Sequence, residues 1–329
     1  MPFRVLSIDG GGIRGIIPAV VLGRLETLTG RPIHDLFDLI VGTSTGGLLT
    51  LGLTAPDAAG QARFTAADLV RLYLDEGETI FSRPLAHRIR SANGLANAKY
   101  PAAGIEDVLE RYFGDLRLAQ LLGDVVVTAY ETELREPWFF RSRRARADDG
   151  YDFRIRDVGR AAAAAPTFFP ASRVRAGDGR AWTLVDGGVY ANNPAMVGIV
   201  EAMAAYEADD VLTLSLGTGD LTRPLPYRRI RGWGLVQWAR PLIDVVFDGA
   251  SKTTDFQAQQ LSRSTGEVER HTRFQVELTT GNDDLDDVSP ANLAALLDLA
   301  ETLLTDRREE LEQLAASLVS PTGRAVDPD

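Results

Sequence analysis

Short, almost wholly apolar runs alternate along this chain with longer segments whose apolar residues recur at helical spacing. "FRVLSI" (3–8) ends at Asp9 and predicts a buried strand. After a cluster of glycines, Ile17, Val20, Val21, Leu25 and Leu28 fall on one helical face, with Pro18 in the first turn, where its missing N–H costs little. "LFDLIVG" (36–42) predicts a second buried strand, and "TGGLLTLGLTA" (45–55) a helix directly after a turn. Strand, turn and helix repeated in this way are the pattern of an α/β fold with a mostly parallel central sheet flanked by helices.

The later pattern extends that sheet. Residues 66–122 read as mainly helical, with "GIEDVLERYFG" (104–114) clearly amphipathic. "DVVVTAYE" (124–131), "WFFRS" (138–142), "AWTLVDGG" (181–188) and "VLTLSLGTG" (211–219) predict strands, the last two running into glycine turns. "RDVGRAAAAAP" (156–166) predicts a helix ended by Pro166, and "NPAMVGIVEAMAAY" (193–206) a helix with Pro194 near its start. One helical stretch covers 289–318, with Ser289 as N-cap and Pro290 in first position. "WGLVQWARPLIDVVF" (233–247) is strongly apolar and predicts a core helix. Its functional alternative is a lid or wall of an acyl-chain groove, built on Trp233, Trp238 and Phe247. With no repeat and no linker tract, a single domain over 1–320 is expected, followed by a disordered tail at 321–329.

Composition narrows the function classes. The 329 residues carry a net charge of -11, which argues against nucleic-acid partners and against tight electrostatic docking on anionic membranes. Basic clusters at 83–90, 141–146 and 227–231 read as solvated loops, or as local headgroup contacts around a cleft. There are no cysteines, so disulfides and thiolate chemistry are excluded and a structural zinc site is not expected. The start of the chain enters a strand directly, with no basic and apolar leader, and no apolar stretch is long enough to cross a bilayer. A cytoplasmic location follows as the expectation, with lipid, if any, met from the aqueous side.

Chemistry concentrates in two glycine-dense turns. "GTSTG" (42–46) matches G-x-S-x-G between a buried strand and a helix, the context that lifts a serine hydroxyl out of a sheet. Ser44 is then a candidate nucleophile. Gly42 and Gly46 permit the tight backbone, and the N–H of Thr45 points toward a developing oxyanion. Of the three histidines, His34 lies at the wrong end of the sheet, His87 in a basic surface-like segment, and His271 among polar neighbours. A Ser-His-Asp triad is poorly supported. Asp186, in "LVDGG" at the carboxyl end of a strand, is the favoured base.

The first turn, "DGGGIRG" (9–15), contains Gly10-x-Gly12-x-x-Gly15, a spacing shared by phosphate-binding turns. A dinucleotide site wants an acid at the end of the second strand, where "GTSTG" stands instead. A Walker-type loop wants a lysine, and none precedes Lys99. Backbone amides near Gly10, Gly11 and Gly12 could instead hold an ester oxyanion. A nucleotide-binding module remains the alternative reading of this loop.

Together "DGGGIRG", "GTSTGG" and "DGG" before "VYANNP" resemble the patatin family of lipid acyl hydrolases. "KYPAAGIEDVLERYFGD" (99–115), "AAPTFFPA" (164–171) and "LSLGTG" (214–219) are weaker echoes. The resemblance runs from about residue 3 to about residue 300 and implies the three-layer α/β/α fold of that family. It implies Ser44 as nucleophile and Asp186 as base in a Ser–Asp dyad. It also implies Gly10, Gly11 and Gly12 as the oxyanion loop with Arg14 supporting it, and Gly187 and Gly188 as the glycines of the "DGG" motif. One departure is Ala162-Ala163, where relatives often carry Thr-Ser. The implied substrate is a phospholipid or other acyl-ester lipid, with peripheral membrane contact and neither metal nor organic cofactor. An acyltransferase using the same acyl-enzyme is the alternative activity.

Overall fold

The computed structural model describes residues 2–84, 97–238, 241–264 and 270–319. Its strands are β1 (Phe3–Ile8), β2 (Leu39–Thr43), β3 (Asp124–Glu131), β4 (Glu136–Arg141), β5 (Ser172–Arg175), β6 (Ala181–Asp186), β7 (Val211–Leu216) and β8 (His271–Phe274). They form one sheet in the order β5-β6-β3-β2-β1-β7-β8, with β4 also paired to β3. The centre, from β3 through β2, β1 and β7 to β8, is parallel, while β4, β5 and β6 join by antiparallel pairing.

Helices cover both faces, as a central strand buried on each side requires. In β1, Leu6 and Ile8 pack on one side with α1 (Ile16–Thr29), α3 (Ala66–Ile80) and the C-terminal helices. Val5, on the opposite side, packs with Leu39, Val41 and Ala202 of the Ala195–Ala205 helix. Helix α2 (Thr45–Thr54) is buried almost throughout, which explains its lack of a polar face. Among the described residues no helix is long and apolar enough to cross a membrane.

Several expectations need correction. The first helix is buried all round its first two turns, because α3 and the Pro290–Asp306 helix both pack on it; the predicted stripe is too narrow. The alanine-rich helix spans Ile155–Ala162 and stops before Pro166, with Ala163–Ala165 forming the turn that hydrogen-bonds to Asp186 N–H through the Ala164 carbonyl. The 289–318 stretch is two helices, Pro290–Asp306 and Arg308–Val319, although Ser289 does cap the first by accepting from Asn292 N–H. The 233–247 stretch is not a core helix. It forms a single turn at Leu235–Trp238 and the start of a Pro241–Ser264 helix, and Leu235 is 90% exposed. The 141–146 cluster is neither a solvated loop nor at the cleft. Arg141 pairs with Glu201 and Arg146 with Asp124, at the beginning of β3. The predicted tail, His87 and most of the 83–90 cluster lie outside the described residues.

Candidate active site

β2 delivers Ser44 at the end of the parallel sheet, and α2 begins at the next residue. Ser44 has φ 54° and ψ −122°, an unusual conformation for a residue with a side chain, and is 8% exposed. The turn is tight enough that only glycine fits at its two flanks. A Cβ on Gly42 would lie 2.2 Å from the Gly46 carbonyl oxygen, and one on Gly46 would lie 2.1 Å from the Ile8 carbonyl oxygen. The second contact presses α2 against the last residue of β1, where the glycine loop begins. Thr43 Oγ1 lies 2.7 Å from Thr128 Oγ1 and donates to the Ala191 carbonyl at 2.6 Å, which fixes the strand just before the turn.

Asp186 reaches the same place from the opposite direction. β2 pairs with β3 up to Thr43–Thr128, and β6 pairs with β3 from Asp186–Ala129 onward. β4 occupies the other edge of β3 over this whole region, so β2 and β6 share one edge and meet end to end. The Asp186 carboxylate is fully buried. Oδ1 accepts from Gly188 N–H at 2.8 Å, and Oδ2 has no hydrogen-bond partner among the described residues. Burial pushes its pKa up to about 7, opposed by the neighbouring Ser44 hydroxyl and the Gly188 N–H. A carboxylate held in this range can accept a proton from a hydroxyl near neutral pH and give it back.

The glycine loop faces Ser44 across a cleft lined by Gly11, Gly12, Ser44 and Thr45. Its amides are not equivalent. The Gly10 N–H already donates to the Asn192 carbonyl at 2.9 Å, so Gly10 contributes its backbone to the loop without a free donor. The Gly10 carbonyl accepts from Thr218 Oγ1 at 2.7 Å and from Asn192 Nδ2 at 3.4 Å. Because C=O and N–H point opposite ways across a trans peptide, this turns the Gly11 N–H away from Thr218. Arg14, 7% exposed, donates from Nε to the Gly11 carbonyl at 3.3 Å and so orients the Gly12 N–H likewise. Thr45 Oγ1 lies 2.5 Å from Tyr73 Oη, and the Thr45 N–H is the first of α2, without a partner inside the helix. Gly15 sits where a Cβ would meet the Thr45 and Tyr73 hydroxyls, and Gly187 and Gly188 pass against Thr128 and Phe247.

Asp9 anchors the loop from below. Its buried carboxylate pairs with Arg273 at 2.6 Å and accepts from Ser251 Oγ at 3.0 Å. Asn192, Thr218, Asp9 and Arg273 were not singled out by sequence, although Asn192 and Thr218 sit in the "VYANNP" and "LSLGTG" stretches noted above. Neither described histidine reaches Ser44. His34 lies in a short turn leading into the start of β2. His271 is level with Leu39, some five strand positions short of Ser44, or about 16 Å. It pairs with Asp255 at 2.9 Å.

From Ser44 the cleft runs between apolar walls that include Leu48, Ile105, Phe168, Phe169 and Phe247. A second apolar cavity shares Leu48, Tyr73, Ile80 and Ile105 with it and continues to Val108, Leu109 and Phe113. Trp233 and Trp238 line neither cavity; among the described residues of that segment Phe247 alone is a wall.

The patatin-like phospholipase family model matches residues 6–199, which contain Ser44, the glycine loop and Asp186. Patatin-like protein 2 of Arabidopsis thaliana is 32% identical over 84% of this chain and 76% of its own length. Patatin-like protein 1 of Oryza sativa subsp. indica is 30% identical over 99% and 86%, and Patatin-T5 of Solanum tuberosum 31% over 91% and 83%. The crystal structure of VipD from Legionella pneumophila is a distant likeness, 11% identical with a TM-score of 0.40, covering 92% of this chain and 66% of that one. By the span of the family model and the coverage of these relatives, the chain belongs to the patatin-like phospholipase family.

Proposed function

We propose that this protein is a serine lipid acyl hydrolase with Ser44 as nucleophile, Asp186 as its base and the Gly11 and Gly12 amides as the oxyanion hole, supplemented by the Thr45 N–H. Family membership supports lipid acyl hydrolase activity in general. The observation that carries the residue assignment is the end-to-end meeting of β2 and β6, which brings a buried carboxylate of raised pKa to the strained serine.

Ser44 Oγ attacks the ester carbonyl carbon while Asp186 takes its proton. The Gly11 and Gly12 amides stabilise the oxyanion; losing one such donor typically costs about 3–4 kcal/mol of transition-state stabilisation. The ester C–O bond then breaks, and Asp186 returns the proton to the departing alcohol or lysolipid. Asp186 next deprotonates a water that attacks the acyl-enzyme, the fatty acid leaves, and Ser44 recovers its proton. The cycle balances with water as the only co-reactant. The apolar cleft and the cavity behind it suit a fatty acyl chain, so a phospholipid or other acyl-ester lipid is the substrate class.

A panel of lipid classes assayed with wild type and Ser44→Ala tests this reading. Fatty acid release and fluorophosphonate labelling should both vanish in the variant while its circular dichroism is unchanged. Retained labelling would overturn the assignment.

A further inference from the structure

The segment expected to be core instead presents apolar side chains to solvent, in part on a helix that walls the cleft. Leu235 and Val236 are 90% and 82% exposed, and Leu242, Val245 and Val246 are 38–50% exposed. The last three stand at i, i+3 and i+4, on one face of the Pro241–Ser264 helix. The opposite face buries Phe247, Ser251, Ala258 and Ser262. Phe247, on that buried face, is a wall of the Ser44 cleft, so the helix that closes one side of the candidate active site carries the apolar surface on its outer side. Asp244 and Asp248 turn aside, into a polar pocket with Arg14.

Cations precede this surface along the chain. Arg228, Arg229 and Arg231 are exposed and make no ion pair among the described residues, and Arg229 lies over the Trp233 ring at 5.6 Å. Trp233 and Trp238 meet edge to face at 5.3 Å. Apolar side chains beside arginine and tryptophan match the layering of a bilayer: acyl boundary, headgroup, anionic surface. The net charge of -11 opposes approach at long range, but physiological salt screens it beyond about 8 Å, leaving the local arginines to act at contact.

We infer that residues 227–238 and 241–246 dock this protein on a phospholipid bilayer, with Leu235, Val236, Leu242, Val245 and Val246 entering the acyl boundary and Arg228, Arg229 and Arg231 on the headgroups. This rests on the lipid hydrolase reading above, since docking through a helix that walls the cleft brings the cleft close to the source of substrate.

The test is flotation of the full chain with vesicles of equal parts phosphatidylcholine and phosphatidylglycerol, run on Ser44→Ala so that turnover plays no part. The chain should float. Leu235→Ser/Val236→Ser and Val245→Ser/Val246→Ser, all at exposed positions, should each lower the bound fraction about tenfold. Arg228→Gln/Arg229→Gln/Arg231→Gln should lose the preference for anionic vesicles. In the Ser44 background, the same variants should hydrolyse a soluble butyrate ester at the wild-type rate but vesicle phospholipid more slowly. No flotation, or flotation unchanged by the serine variants, overturns the docking. Sedimentation showing a dimer abolished by those variants, without flotation, assigns the surface to a second copy and overturns it as well. Absence of soluble ester hydrolysis in wild type would sink the hydrolase reading alone, with flotation still deciding the docking.

Discussion

Asp186 stands at the position on the edge of β3 that Ser44 would take if β2 ran on by one residue. β2 stops because the chain turns sharply at Ser44 into α2, and β6 arrives antiparallel to fill the place it leaves. Ser44 stands at the carboxyl end of the parallel strand β2, the place where the sequence puts it. Asp186 comes to the same edge by a strand that points the other way.

Asp186→Asn should lower kcat by about 10²–10⁴, with the acceptor for Gly188 N–H retained. In wild type, kcat/KM should rise with pH and level off above about 7, as the carboxyl loses its proton. Esterase rates across pH, with the rising limb absent in the variant, check this.

The same carboxyl makes a linked prediction about stability. Its pKa is higher in the fold than in the unfolded chain, so folding takes up a proton between the ordinary carboxylate range and about 7. Stability from this group is therefore full at low pH and lost as pH rises through about 7. Asp186→Asn should be more stable than wild type at pH about 8, by an amount on the order of a few kcal/mol, and should lose that advantage toward pH about 4. Denaturant unfolding at both values tests it; an advantage independent of pH would contradict it.

Thr218→Val removes the hydroxyl that holds the Gly10 carbonyl while keeping the side-chain shape. kcat should fall about tenfold with KM nearly unchanged, because the freed peptide aims the Gly11 N–H less well at the oxyanion. Arg14→Lys should act in the same way through the Gly11 carbonyl. A rise in KM at constant kcat would mean that these residues bind substrate instead.

Val108 lies only in the deeper of the two apolar cavities. Val108→Phe should cut kcat/KM about tenfold for long-chain esters and leave butyrate esters unaffected. Overpacking costs about 1–3 kcal/mol, so a melting curve accompanies the kinetics. Equal loss on both chain lengths would argue against a deep acyl site.

Asp9→Asn removes the nearer charge partner of the buried Arg273 guanidinium, at 2.6 Å, and leaves only Asp255 at 4.0 Å. Breaking such a pair costs about 3–5 kcal/mol, which should appear as a lower denaturation midpoint.

The parts of this protein legible in sequence are those decided by neighbours along the chain. β1, β2 and the helix after each follow from apolar runs and glycine turns, and "GTSTG" announces Ser44 by its local context. What could not be read depends on contacts far along the chain. Hydrophobicity alone does not say whether Leu235 and Val245 meet protein or water. Periodicity does not reveal the break at Arg307, where the helical pattern continues. Asn192 and Thr218 take their roles only when their loops close over the Gly10 carbonyl. The loop's donors also differ from expectation, since a tertiary hydrogen bond occupies the Gly10 amide.

Gly46 rests against the Ile8 carbonyl with no room for even a methyl group. The spacing between the proposed nucleophile and the glycine loop is thus a backbone-to-backbone distance, with no side chain interposed. Changes in packing elsewhere have no handle on it. Laboratory evolution for new substrates should therefore accumulate changes along the walls at Leu48, Ile105, Val108 and Phe168, while the gauge between serine and oxyanion hole passes unaltered from parent to variant.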